Sequence, residues 1–177
     1  MLRLFVFMTL LIIGLFRSLR LHVPVLNEAG SPETDKPFEI KEPNLSKAIY
    51  GTLKPGKEEE YYTFFAEKEA KLAPILLLMA ASYNHKGLRA TFRLSGPGLP
   101  AEGVTPDVTA KPLHIVGHDY IMVQSFMSPL PETGDYHVAV QRTDGAGLYC
   151  FCIGTAENNQ IDPALFAKVA ALVSQEA

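Results

Sequence analysis

The sequence predicts an all-β fold, an antiparallel β-sandwich of jelly-roll-like form with about seven to eight strands. A hydrophobic helix is expected at its N-terminus and a short helix at its C-terminus. Three observations carry this. Short apolar runs are separated by Gly- and Pro-rich turns throughout residues 39–157. Several of those runs alternate apolar and polar residues, the period of a strand with one wet face. Only the last twenty or so residues outside the N-terminal segment have helical periodicity.

In chain order, "MLRLFVFMTLLIIGLF" comes first, uncharged from Leu4 to Phe16 and flanked by Arg3, Arg17 and Arg20. Such a run reads as an export signal or a retained membrane anchor over residues 1–20. It is short for a spanning helix, which needs about 20 apolar residues, yet no small-x-small cleavage site follows it. Arginines on both flanks leave the orientation of an anchor open; the expectation is that the remainder lies outside the cytoplasm, exported or membrane-anchored. Residues 21–38, including "LNEAGSPETDKP", read as a polar linker.

The strand candidates follow: "AIYGTL", "YYTFFA", "APILLLMAAS", "LRATFRLS", "LHIVGHDYIMVQSF", "DYHVAVQR" and "LYCFCI". In "LRATFRL", Leu88, Ala90, Phe92 and Leu94 share one face, and Arg89, Thr91 and Arg93 the other. "ILLLMAA" does not alternate, so it is a strand covered on both faces or a short helix, and its neighbours favour the strand. Over residues 158–177, Asp162 is a helix cap and Pro163 suits the first helical position. Leu165, Phe166, Val169, Leu172 and Val173 then form an apolar stripe to pack on the sandwich.

Composition narrows the function classes. The chain has 177 residues, a net charge of −3 and no basic stripe interleaved with aromatics, which argues against nucleic acid as a partner. Its 2 cysteines are too few for a disulfide-built scaffold. "GPGLP" is Gly-rich, but its prolines remove donors a phosphate cradle needs. No nucleophile elbow and no H-E-x-x-H occurs.

Taken together, the motifs resemble the bacterial pre-peptidase C-terminal type of β-sandwich domain. "LSKAIYGTLKPGKEEEYYTFFA" is similar to its opening, a "YG-x-L" strand, a Gly turn, an acidic residue and "YY-x-F-x-A". "PETGDYHVAV" and "GAGLYCFCIG" resemble its closing strands, and "LSGPGLP" and "IGTAE" a subgroup of short envelope proteins. The similarity spans Ile40 to Glu157. It departs where the family often has Asp before the paired tyrosines, since Glu58, Glu59 and Glu60 stand there. The resemblance implies a non-catalytic module for binding or solubility, with no catalytic residues and no cofactor.

The residues themselves offer several candidate sites. The three glutamates read as a solvated turn, since consecutive side chains diverge. Exposed Tyr61 or Tyr83 would suit sugar or peptide ligands, so a protein or carbohydrate partner is expected, with the membrane reached through the N-terminal segment. His114 and His118 have a helical metal spacing, but on a strand they would lie roughly 13 Å apart. His85 sits in a turn.

Cys150 and Cys152 carry the alternative function, a thiol- and His-based metal-binding or redox protein. If Asp144-Gly145 closes a hairpin, Val140 pairs with Tyr149, Val138 with Phe151 and Tyr136 with Ile153, giving one apolar face. The reverse face would then set His137 across from Cys152 and Ala139 across from Cys150. Three readings follow: a strained disulfide across about 6.6 Å of strand, a copper or zinc site of Cys150, Cys152 and His137, or two small fillers beneath the C-terminal helix or a loop.

Overall fold

The computed structural model describes residues 22–70, 72, 75–80, 87–115, 118–156 and 162–176. The expected signal or anchor over residues 1–20 lies outside them, as do Tyr83 and His85. Among the described residues no helix is long and apolar enough to cross a membrane.

Among the described residues ten strands form two packed sheets: β1 (Val23–Leu26), β2 (Phe38–Glu39), β3 (Lys47–Leu53), β4 (Glu59–Ala66), β5 (Ile75–Ala80), β6 (Arg89–Ser95), β7 (Lys111–Ile115), β8 (His118–Phe126), β9 (Gly134–Asp144) and β10 (Gly147–Ile153). One sheet has the order β1-β3-β10-β5-β8-β7, the other β2-β4-β9-β6. Helix α1 (Pro163–Glu176) lies against β1 and β10. The fold is the all-β sandwich that the turn spacing predicts.

Alternation builds the interior. Tyr62, Phe64, Phe92, Leu94, Tyr136, Val138 and Val140 from the four-stranded sheet meet Ile49, Leu53, Leu77, Met79, Tyr149, Phe151 and Ile153 from the six-stranded one. Tyr62 stacks on Phe151 with ring centroids 5.7 Å apart, and Phe92 meets Phe151 edge-on at 5.7 Å. The non-alternating β5 is covered on both faces: Leu77 and Met79 face the interior, and Leu78 belongs to the cluster under α1.

Four expectations need correction. The strand count exceeds the expected seven to eight, in part because residues 21–38 are not a free linker. Val23–Leu26 pairs in parallel with β3, and Phe38–Glu39 in parallel with β4, so each sheet gains a parallel edge and is mixed. "LHIVGHDYIMVQSF" is not one strand but the pair β7 and β8, antiparallel, with Ile115 opposite His118. Finally, β9 and β10 do not form a hairpin. β9 pairs with β4 and β6, and β10 with β3 and β5, in opposite sheets. Val138, Val140 and Tyr136 do meet Tyr149, Phe151 and Ile153, but across the interior rather than side by side. Both arrangements bury the same residues, which is why the apolar pattern alone suggested the wrong neighbour.

In α1, the Asp162 side chain accepts from the backbone N–H of Ala164 at 2.9 Å and of Leu165 at 3.3 Å, the expected cap. Val169 and Val173 are buried, and Leu165 and Leu172 pack beside them. Phe166, expected on the same stripe, is instead exposed.

Candidate functional site

On β10, side chains alternate between two apolar environments. Tyr149, Phe151 and Ile153 point inward, and Cys150 and Cys152 outward. The outward pair is flanked by Tyr50 and Ala48 on β3 and Leu78 on β5, and shares a cluster with Val169 and Val173 of α1. Both thiols are free and buried, with their Sγ atoms 3.6 Å apart. Burial pushes the Cys150 thiol well above its ordinary value, and the Cys152 sulfur adds to this. A thiol kept protonated is a poor nucleophile and a poor metal ligand.

His137 is not beside these cysteines. It lies on β9, opposite Thr63 of β4 and Ser95 of β6, and is exposed. The hairpin register that would have assembled Cys150, Cys152 and His137 is replaced by a strand crossing to the other sheet. Among the described residues no group of three or more His, Cys, Asp or Glu is placed to hold a metal ion. His114 and His118 stand on facing strands of the β7–β8 pair, and His114 Nδ1 contacts Asp119 Oδ1 at 2.7 Å.

His137 belongs to a second surface. Residues 59, 61, 63 and 65 of β4, 135, 137, 139 and 141 of β9, and 91, 93 and 95 of β6 all point out of the sandwich. The register sets them in rows: Phe65 beside Asp135, His137 between Thr63 and Ser95, and Ala139 between Tyr61 and Arg93. Phe65 is 56% exposed. Where this face meets residues 34–43, a groove of about 740 Å³ is lined by Glu39, Lys41, Thr63, Phe65, Asp135 and His137. The Tyr61 phenol donates to the Glu59 carboxylate, which together with partial burial holds it above its ordinary value. The groove thus combines one aromatic face, carboxylates, a cation and a hydroxyl.

A third assembly is one the sequence reading placed in solvent. Glu60 is 0% exposed. Its Oε2 accepts from Tyr149 OH at 2.6 Å, Asn27 Nδ2 at 2.7 Å and Tyr62 OH at 2.9 Å. Its Oε1 takes no regular hydrogen bond and faces the Lys57 ammonium in an ion pair. The Tyr62 and Tyr149 hydroxyl oxygens also lie against each other, each directing its one proton to Glu60. Burial, then the neighbouring Glu60 charge, hold the Tyr62 phenol well above its ordinary value. For Tyr149 burial again leads, with Tyr62 and Glu60 following. The phenols therefore stay protonated and serve as donors.

Local chain geometry permits this hub. A Cβ on Gly51 would stand 2.5 Å from Tyr149 OH and 2.8 Å from Glu60 Oε2, so only glycine lets β3 approach the charge. The Pro55-Gly56 turn, with φ of 82° at Gly56, returns Lys57 to the same place. The signal for Glu60 was in the sequence: it precedes Tyr62, Phe64 and Ala66 by even steps, so it falls on their inward face.

No family model and no curated protein matches the chain. Among solved structures, it is similar to the pre-peptidase C-terminal domain of a collagenase from Bacillus anthracis, a 1.0 Å crystal structure. The similarity has a TM-score of 0.40 and 19% identity, and covers 64% of this chain and 90% of that domain.

Proposed function

We propose that the chain is a non-enzymatic β-sandwich module that binds a glycan of the cell envelope, exported or held at a membrane by its N-terminal segment. The single observation that carries this is the asymmetry of the two outer faces. The six-stranded sheet turns Ala48, Tyr50, Leu78, Cys150 and Cys152 outward and packs them with α1. The four-stranded sheet turns Tyr61, Thr63, Phe65, Arg93, Asp135 and His137 outward, and of these Phe65, Arg93, Asp135 and His137 are exposed.

The chemistry of the open face suits sugars. An exposed aromatic ring offers an apolar plane for the C–H face of a pyranose. Asp135, His137, Glu39 and Thr63 around it supply acceptors and donors for the hydroxyl edge. Support for the location comes from the uncharged run Leu4–Phe16 between arginines, and for the module type from the sequence motifs of the opening and closing strands.

Cosedimentation of the purified chain with insoluble envelope polysaccharide tests the proposal. Binding is expected to weaken about tenfold, or about 1.4 kcal/mol, in each of Phe65→Ala and His137→Ala. Both side chains point outward, so thermal stability should stay near the parent's. Absence of binding, or binding untouched by either substitution, would overturn the reading.

A further inference from the structure

Asn27, Lys57 and Glu60 together form an arrangement that the binding reading does not use. Asn27 follows β1 and contributes a carboxamide. Lys57 precedes β4 and contributes a primary amine. The two oxygens of one carboxylate hold them both: Asn27 Nδ2 donates to Glu60 Oε2 at 2.7 Å, and Lys57 Nζ ion-pairs with Oε1. Asn27 is 6% exposed and Glu60 0%, while the Lys57 side chain is 22% exposed. A Cβ on Gly30 would stand 2.8 Å from Lys57 Nζ and 3.4 Å from Glu60 Oε1, so the chain closes over the pair from that side as well.

We infer that this hub is an autocatalytic cross-linking site, in which Lys57 Nζ forms an isopeptide bond to the side-chain carbonyl carbon of Asn27 with Glu60 as the proton carrier. Glu60 takes a proton from the Lys57 ammonium, leaving a neutral amine. Nζ adds to Asn27 Cγ to give a tetrahedral centre. A second Nζ proton passes through Glu60 to Nδ2, the Cγ–Nδ2 bond breaks, and ammonia leaves. The balance is closed: an ammonium, a carboxamide and a carboxylate become a secondary amide, ammonia and a carboxylic acid. No oxidant, nucleotide or metal is consumed.

Two physical features favour the step. Fixing amine and amide on one carboxylate replaces an encounter in solution with a held geometry, the source of large effective concentrations in intramolecular reactions. The reaction also converts a buried ion pair into neutral groups, removing two charges from a site where desolvation opposes them. Tyr62 and Tyr149 stay in place as donors, at 2.9 and 2.6 Å from Oε2, through both states of Glu60.

Peptide mass mapping of the full chain after denaturation and trypsin digestion tests this. The parent is expected to give one branched peptide joining the fragments that carry Asn27 and Lys57. Its mass is lower than their sum by one ammonia, and cleavage after Lys57 is lost. Lys57→Arg keeps the cation but removes the nucleophile, so it should give only linear peptides while remaining folded by circular dichroism. Asn27→Asp should still cross-link, now with loss of water. Linear peptides with free Lys57 and intact Asn27 from folded parent protein would overturn the inference, as would a branched peptide that persists in Lys57→Arg.

Discussion

Tyr149 carries two duties at once. Its ring is part of the sandwich interior, and its hydroxyl donates at 2.6 Å to a carboxylate with no access to water. Phenylalanine at this position keeps the ring and removes the donor. Leaving a buried Glu60 oxygen short of one hydrogen bond costs about 1–3 kcal/mol, so Tyr149→Phe should lower the urea midpoint accordingly with little change in the native far-ultraviolet spectrum. Gly51→Ala acts on the same hub from β3 by steric conflict with Tyr149 and Glu60. It is expected to cost about 1–3 kcal/mol in the same titration, as overpacking does. The hub was only half legible in the sequence. Period-two alternation assigns Glu60 to the face of Tyr62, but three glutamates after a Pro-Gly turn look like a solvated loop. Asn27, Lys57 and Tyr149 are distant in the chain, and no local pattern ties them to Glu60.

At the scale of elements, α1 acts as the cover over β10. Its Val169 and Val173 lie in the cluster that contains both cysteines. In the intact fold the two thiols should react slowly with a water-soluble disulfide reagent. Val169→Asp, which places a charge at this contact, should speed that reaction at least tenfold while the rest of the sandwich remains folded. An equal, fast rate in parent and variant would show that the helix does not shield the strand. Strand content was largely legible because each run carries its own period and its own turn signals. That Tyr149, Phe151 and Ile153 share one face and the cysteines the other follows from alternation alone. Pairing partners were not legible. β9 and β10 have an Asp-Gly between them and matching apolar faces, which fits a hairpin as well as it fits two strands facing each other across a core. The parallel edges β1 and β2 were hidden for another reason: a few residues with prolines nearby have too little pattern to distinguish them from a linker.

For the whole molecule, acid and alkali should act through different groups. Burial holds the His22 imidazole below its ordinary value of 6.5, so the unfolded chain takes up that proton first. Stability therefore falls as the pH drops through about 6.5. On the other side, burial holds the Cys150 thiol above its ordinary 9.0, and the Tyr62 and Tyr149 phenols above 10.0. The unfolded chain releases these protons first, and stability falls as the pH rises past about 9. Urea midpoints measured across pH should form a plateau between these limits, with the acid shoulder flattened in His22→Gln. A profile that is flat from pH 5 to 11 would contradict the burial of these groups.

The placement of β10 has a further consequence for how the chain is made. Gly147–Ile153 is the last of the described strands to be synthesised, yet it sits between β3 and β5. Until it emerges, the larger sheet exists as two unconnected fragments, β1-β3 on one side and β5-β8-β7 on the other. Its pairing joins Leu53 to Gly147, so the final closure spans about half of the chain and is slow to find. A nascent polypeptide ending before residue 147 should show no cooperative unfolding transition. Closure of the larger sheet is thereby postponed until β10 has emerged, late among the strands it joins.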